Sequence, residues 1–184
     1  MPDSPSRPDP RHAPYIAVIG PGEASDDELR IAEQVGALLA QRGATVVCGG
    51  LGGVMQAVCK GAAQHDGPAI GLLPGRDRSA ANPYVSVALA TGLGEMRNAL
   101  VVGSSDGVIA VGGSWGTLSE VALAMRTGKP TVVIGGWSVQ QPSPDTSHNP
   151  AKAATAQDAV DAVLAAIDGH GPHQNPTTQD DPRP

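Results

Sequence analysis

Arg97 and Glu120 are the two charged residues whose settings in this sequence suggest chemistry. Glu120 closes the stretch Val111-Gly112-Gly113-Ser114-Trp115-Gly116-Thr117-Leu118-Ser119-Glu120, where a glycine-rich turn leads from an apolar run into an amphipathic one. A turn before a helix offers free N–H groups and the positive end of the helix dipole, which together seat a phosphate or carboxylate. By 100° steps Glu120 shares a side with Gly116 and Thr117, roughly opposite the face of Leu118, Val121, Ala122 and Met125. It therefore overlooks whatever the turn holds. A carboxylate beside a bound anion needs a task of its own, such as gripping ribose hydroxyls or handling a proton. The structural alternative is that Thr117 and Glu120, in T-x-x-E spacing, form a capping box. Arg97 falls at a predicted helix start, where a cation opposes the dipole, so an anionic partner is expected, either a ligand or an acid such as Glu95. Trp115 either stacks on a base or shields the turn.

Positioning these groups requires strands that end in turns and helices that begin there. Residues 15–19, 44–48, 69–73, 107–111 and 131–134 are apolar runs of strand length, with a further strand expected at 84–89. Between them lie helical patterns: 25–43, opened by a Ser25-x-x-Glu28 capping box, then 54–62, 95–102 and 117–127, with a last helix over 155–168. Strands alternating with helices imply a single Rossmann-like, doubly wound α/β domain with a mostly parallel sheet. Ligands then bind beyond the carboxyl ends of the strands. The glycine turns after residues 19, 48 and 111 all lie there, and Gly49-Gly50-x-x-Gly53 is similar to Gly112-Gly113-x-x-Gly116. Neither the dinucleotide fingerprint nor a P-loop is present, since Gly20-Pro21-Gly22 lacks the third glycine and no lysine stands in P-loop register.

Residues 1–13 and 169–184 read as flexible tails around a domain of 14–168, and 137–154 as a long polar loop. A net charge of −6 argues against a basic nucleic-acid surface but not against a small anionic ligand. No run approaches a membrane span and no secretory signal opens the chain, so a cytoplasmic protein is expected. Cys48 and Cys59 have neither disulfide-framework nor metal spacing and read as small buried residues in a reducing compartment. His12, His148, His170 and His173 fall in segments without apolar pattern, leaving only His65 near the core, so no metal site is expected.

Gly49-Gly50-x-x-Gly53-x-Met55-x-Ala57, Met96-Arg97 and Gly112-Gly113-x-x-Gly116-Thr117-x-x-Glu120 resemble the LOG (Lonely Guy) family over about residues 15–136. That family, once labelled lysine decarboxylase, contains phosphoribohydrolases that release a free base from a nucleoside 5′-monophosphate. Its signature pairs an early-helix Arg with the final Glu of P-G-G-x-G-T-x-x-E, which the resemblance lays on Arg97 and Glu120 as catalytic residues. Val111 stands before the Gly pair where the family has Pro, Asn98 where it has Lys, and Ser119 where it has Glu. Pro74-Gly75, Asn82-Pro83-Tyr84, Thr91-Gly92-Leu93-Gly94 and Arg97-Asn98 are more similar to a sister branch that includes molybdenum-cofactor carrier proteins.

The resemblance thus implies a phosphorylated small molecule as partner: a nucleotide that is cleaved, or a nucleotide or molybdenum cofactor that is carried. Ligand-binding positions are then Gly20, Gly22, Gly50, Gly53, Met55 and Asn98, together with Gly112, Gly113, Ser114, Trp115, Gly116 and Thr117. No cofactor is required beyond a bound nucleotide, phosphate or molybdenum cofactor. Neither nucleic acid nor membrane is a partner, and a homo-oligomer, dimer or tetramer, is implied.

Overall fold

Strands buried on both faces need continuous apolar runs, and five such runs form the centre of the sheet. They are β1 (Tyr15–Ile19), β2 (Thr45–Cys48), β3 (Ala69–Leu73), β5 (Gly107–Val111) and β6 (Thr131–Ile134). Shorter, half-exposed strands, β4 (Val87–Ala90) and β7 (Ala151–Ala153), close the two edges. The computed structural model describes residues 13–140 and 149–170. All seven strands are parallel, in the order β4-β3-β2-β1-β5-β6-β7. The doubly wound fold expected from the sequence is therefore present, with a wholly parallel sheet.

Strand alternation divides the core. Ile16, Val18, Val46, Cys48, Ile109, Val111, Val132 and Ile134 point to one face, where α1 (Asp26–Gln41), α2 (Val54–Ala63) and α5 (Ala156–His170) pack. Ala17, Ile19, Val47, Val108, Ala110 and Val133 point to the other, against α3 (Asn98–Gly103) and α4 (Trp115–Arg126). Helix α1 starts as predicted: Ser25 Oγ accepts the Glu28 N–H at 3.3 Å, and Glu28 accepts the Ser25 N–H at 2.8 Å. Helices α1 and α2 meet backbone to backbone, because a Cβ on Gly36 would overlap the Val58 carbonyl and one on Gly61 the Glu33 carbonyl.

Several boundaries differ from expectation. The expected 137–154 loop contains β7, which pairs with β6; a three-residue edge strand with two exposed positions carries no apolar pattern. The expected helix 95–102 is a 3-10 turn, Gly94–Arg97, followed by α3. Helix α4 begins two residues before the predicted start, and α5 runs to His170, two residues into the expected tail. Residues 1–12, 141–148 and 171–184, and with them most of both expected tails and the middle of the expected loop, lie outside the described residues. Among the described residues no helix is long and apolar enough to cross a membrane.

Candidate ligand-binding site

The strand order reverses between β1 and β5, and in open parallel sheets the crevice at that point, beyond the carboxyl ends, is where ligands lie. The turns after these two strands touch: a Cβ on Gly20 would sit 2.6 Å from the Val111 carbonyl oxygen. Gly22 and Gly53 also meet, with the Val54 N–H donating to the Pro21 carbonyl at 3.1 Å and the Met55 methyl lying beneath Gly22. Gly53, at φ +61°, starts α2 without a side-chain cap.

Helix α4 is capped by Ser114, whose Oγ accepts the Thr117 N–H at 3.2 Å and lies 3.0 Å from the Thr117 hydroxyl. The Thr117/Glu120 capping box is therefore absent. Capping by Ser114 leaves the N–H groups of Trp115 and Gly116 open at the helix start. It also changes how the P-G-G-x-G-T-x-x-E pattern falls on this chain. Counted back from Glu120, its Pro-Gly-Gly lands on Gly112, Gly113 and Ser114, so Gly112 and not Val111 holds the proline position.

Glu120 is on the buried face of α4 with Thr117, Val121 and Ala124, not opposite it, while Ala122 is exposed. The inward face is set by the capping turn and holds a carboxylate because a cation waits there. Glu120 is 8% exposed, and among the described residues its carboxylate has no hydrogen-bond or ion-pair partner. Burial pushes its pKa up to about 7, against the opposing pull of Arg97. Arg97 lays its guanidinium over Gly49, where a Cβ would overlap it, and its buried Nε has no hydrogen-bond partner. Burial lowers the Arg97 pKa while the Glu120 and Cys48 charges raise it. The anionic partner expected for Arg97 is thus Glu120, at a distance longer than a direct ion pair, and not Glu95. Asn98 follows half-buried as the first residue of α3.

Neighbouring groups hold these parts in place. Asn82 Nδ2 donates to the Gly50 and Leu51 carbonyls at 3.2 and 3.0 Å, pinning the loop that Arg97 covers. Cys48 and Cys59 are buried free thiols, as expected, with sulfurs 3.5 Å apart, and the hydrogen bond between them together with burial pushes the Cys48 thiol up. His65 is exposed and near Gln41, not near the core, and among the described residues no three ligating side chains converge on a metal position. Two surface depressions, of about 510 Å³ along α1 and α2 and about 460 Å³ around Pro14 and Asp106, involve neither Arg97 nor Glu120.

Two residues at this seat carry no site signal in the sequence. Glu28 belongs to a helix cap, yet its carboxylate also packs on Gly112. Trp137 lies beyond β6, and only the Gly135-Gly136 pair before it, both at positive φ, marks a sharp return of the chain.

The fold and the site together define a Rossmann-like domain with a half-buried Arg97 and a buried Glu120 beyond the carboxyl ends of its strands. The chain belongs to the SLOG cluster4 family, whose model matches residues 13–164. It is 44% identical over 130 residues to an uncharacterized protein of Archaeoglobus fulgidus, covering 67% of this chain and 85% of that one. The molybdenum cofactor binding protein of Rippkaea orientalis superposes with a TM-score of 0.77 at 34% identity, over 84% of this chain and 98% of that one. The molybdenum cofactor carrier protein of Chlamydomonas reinhardtii does so with a TM-score of 0.73 at 32% identity, over 85% and 99%.

Proposed function

We propose that this protein binds a phosphorylated small molecule at the β1/β5 crevice and carries it without needing a resident cofactor. A phosphorylated pterin such as the molybdenum cofactor, or a nucleotide, is the cargo. The observation that carries the reading is that two helices start beyond the switch-point strands: α2, which has no side-chain cap at Gly53 and gives its first N–H to the Pro21 carbonyl, and α4, whose Trp115 and Gly116 N–H groups have no partner among the described residues. The likeness to the molybdenum cofactor binding protein of Rippkaea orientalis and the molybdenum cofactor carrier protein of Chlamydomonas reinhardtii supports the same reading. In it Gly22 lets the ligand approach the backbone, Gly20, Gly50 and Gly53, whose side-chain space is filled by neighbouring chain, shape the turns that face it, and Met55 and Asn98 line it. Gly112, Gly113, Ser114, Gly116 and Thr117 hold the phosphate. Arg97 and Glu120 fix its orientation.

A second reading is favoured by the buried, hydrogen-bond-free Glu120 within electrostatic reach of Arg97. In that reading the couple promotes hydrolysis of a nucleoside 5′-monophosphate. Ionised Glu120 would stabilise the positive charge that builds at the sugar as the N-glycosidic bond breaks, Arg97 the departing base, and water would supply the hydroxyl. Asn98 and Ser119 depart from the hydrolase pattern, so carriage is preferred.

Thermal shift with AMP, GMP, CMP and a phosphorylated pterin, followed by chromatography for free base, separates the two. Stabilisation without base release is expected. Base release that vanishes in Glu120→Ala would establish hydrolysis instead, and no stabilisation by any of the four would overturn the phosphate seat. Gly113→Val combined with Thr117→Val is expected to remove the stabilisation. Self-association belongs to the same reading, and light scattering on the purified chain tests it: a monomer refutes that part.

A further inference from the structure

The chain contains two tryptophans, two tyrosines and no phenylalanine, and both tryptophans meet at the start of α4. Their ring centroids are 5.0 Å apart with planes tilted by 43°. Trp137 is fixed there: its indole N–H donates to the Ser114 carbonyl at 3.1 Å, and its ring covers Gly113, where a Cβ would lie 2.7 Å from Cδ1. The return of the chain after β6 makes this possible, since Gly135 and Gly136 take φ of +68° and +70° and Gly136 lies against the Gly112 carbonyl. Side chains at 113 or 136 would block the approach.

Trp115, backed by this fixed ring, is 77% exposed. A residue that buries so little adds almost nothing to the core, so its presence is not explained by packing. Its own backbone N–H is one of the two open donors of the phosphate seat, so ring and anion site are joined through one residue. On the same helix Glu120 is more than nine-tenths buried, within electrostatic reach of Arg97 and with no hydrogen-bond partner among the described residues.

We propose that Trp115, braced by Trp137, is a stacking platform for a fused-ring planar heterocycle attached to the phosphate, so that the site selects purine- or pterin-sized rings over single rings or a bare sugar phosphate. The proposal rests on the phosphate-seat reading and adds the part of the ligand that the seat does not touch. An indole face matches a bicyclic ring in extent, and aromatic stacking of one base is worth roughly a five- to hundredfold gain in affinity.

Because both tryptophans of the chain sit at the platform, intrinsic fluorescence reports on it directly. Titrations with GMP, a pterin carrying a phosphate ester, CMP and ribose 5-phosphate, with thermal shift in parallel, test the proposal. At least one of the two fused-ring probes is expected to bind at least about fivefold more tightly than ribose 5-phosphate and to quench the emission. Trp115→Ala is expected to reduce that probe to the level of ribose 5-phosphate, a loss at least about fivefold larger than any change in ribose 5-phosphate binding. Trp137→Phe keeps a ring in place but loses the bond to Ser114, and is expected to give a smaller loss of the same kind. Equal binding of ribose 5-phosphate and both fused-ring probes would overturn the platform and leave the phosphate seat standing. So would a Trp115→Ala loss that is equal for all probes. No binding of any probe would overturn the seat and the platform together.

Discussion

Replacing Glu120 by Gln should stabilise the ligand-free protein, and by an amount that grows with pH. The carboxyl titrates near 7 in the folded chain against an ordinary value of 4.5. A folded-state pKa above the unfolded one means that the folded chain holds the proton more tightly. Below pH 4.5 both states are protonated and the residue costs nothing. As pH rises from there through 7 the folded chain must either keep a proton that the unfolded chain releases or bury a charge, so stability falls. The difference of 2.5 pH units corresponds to about 3 kcal/mol once the group is ionised in both states. Glutamine keeps the shape of the protonated form and cannot ionise, so the variant escapes the penalty.

Urea unfolding of both proteins at pH 5 and pH 8.5 measures this directly. The two should be nearly equal in acid, with the variant more stable by about 2–3 kcal/mol in base, which is a rise of roughly 4–12 °C in Tm. A constant difference at both pH values would refute the reasoning. It would mean that Glu120 is solvated, or held ionised by Arg97 more strongly than its missing ion pair allows.

Other consequences follow from single contacts. Ser114→Ala removes the cap of α4 and should cost about 1 kcal/mol in urea unfolding, whereas Thr117→Val should cost less because the Thr117 N–H keeps its acceptor. Asn82→Ala leaves the Leu51 carbonyl without its donor and should cost about 1–3 kcal/mol, with faster hydrogen exchange confined to the 49–53 loop. Gly61→Val forces a side chain into the Glu33 carbonyl and should lower stability by about 3 kcal/mol or more; an unchanged Tm would mean that α1 and α2 can separate freely.

The central sheet was legible because strands covered on both faces must be apolar throughout, as in 15–19, 107–111 and 131–134. The Ser25/Glu28 cap was legible because both of its bonds are local. The buried face of α4 was not, since Leu118, Val121, Ala122 and Met125 offer an apolar stripe that competes with the one used. Arg97, which offsets part of the cost of turning Glu120 inward, arrives from another strand–helix unit, so nothing along α4 itself marks that face. Strand β7 was missed because an exposed Ala-Lys-Ala has no pattern of its own and is defined by its neighbour β6. Trp137 was missed because its contact with Gly113 joins turns from two different strands, which no spacing along the chain encodes.

The glycine crossing of α1 and α2 bears on how tightly a ligand can be held. With Gly36 and Gly61 bringing the two backbones into contact, the start of α2 at Gly53 moves only as a body with α1, whose own Glu28 reaches Gly112. Both walls of the seat are therefore set when the chain folds, and the ordering entropy is lost then and not at binding. Such preorganisation lets a small, shallow contact area hold its occupant with slow release. A loosened crossing would shorten the residence time of the bound molecule without altering a single residue that touches it.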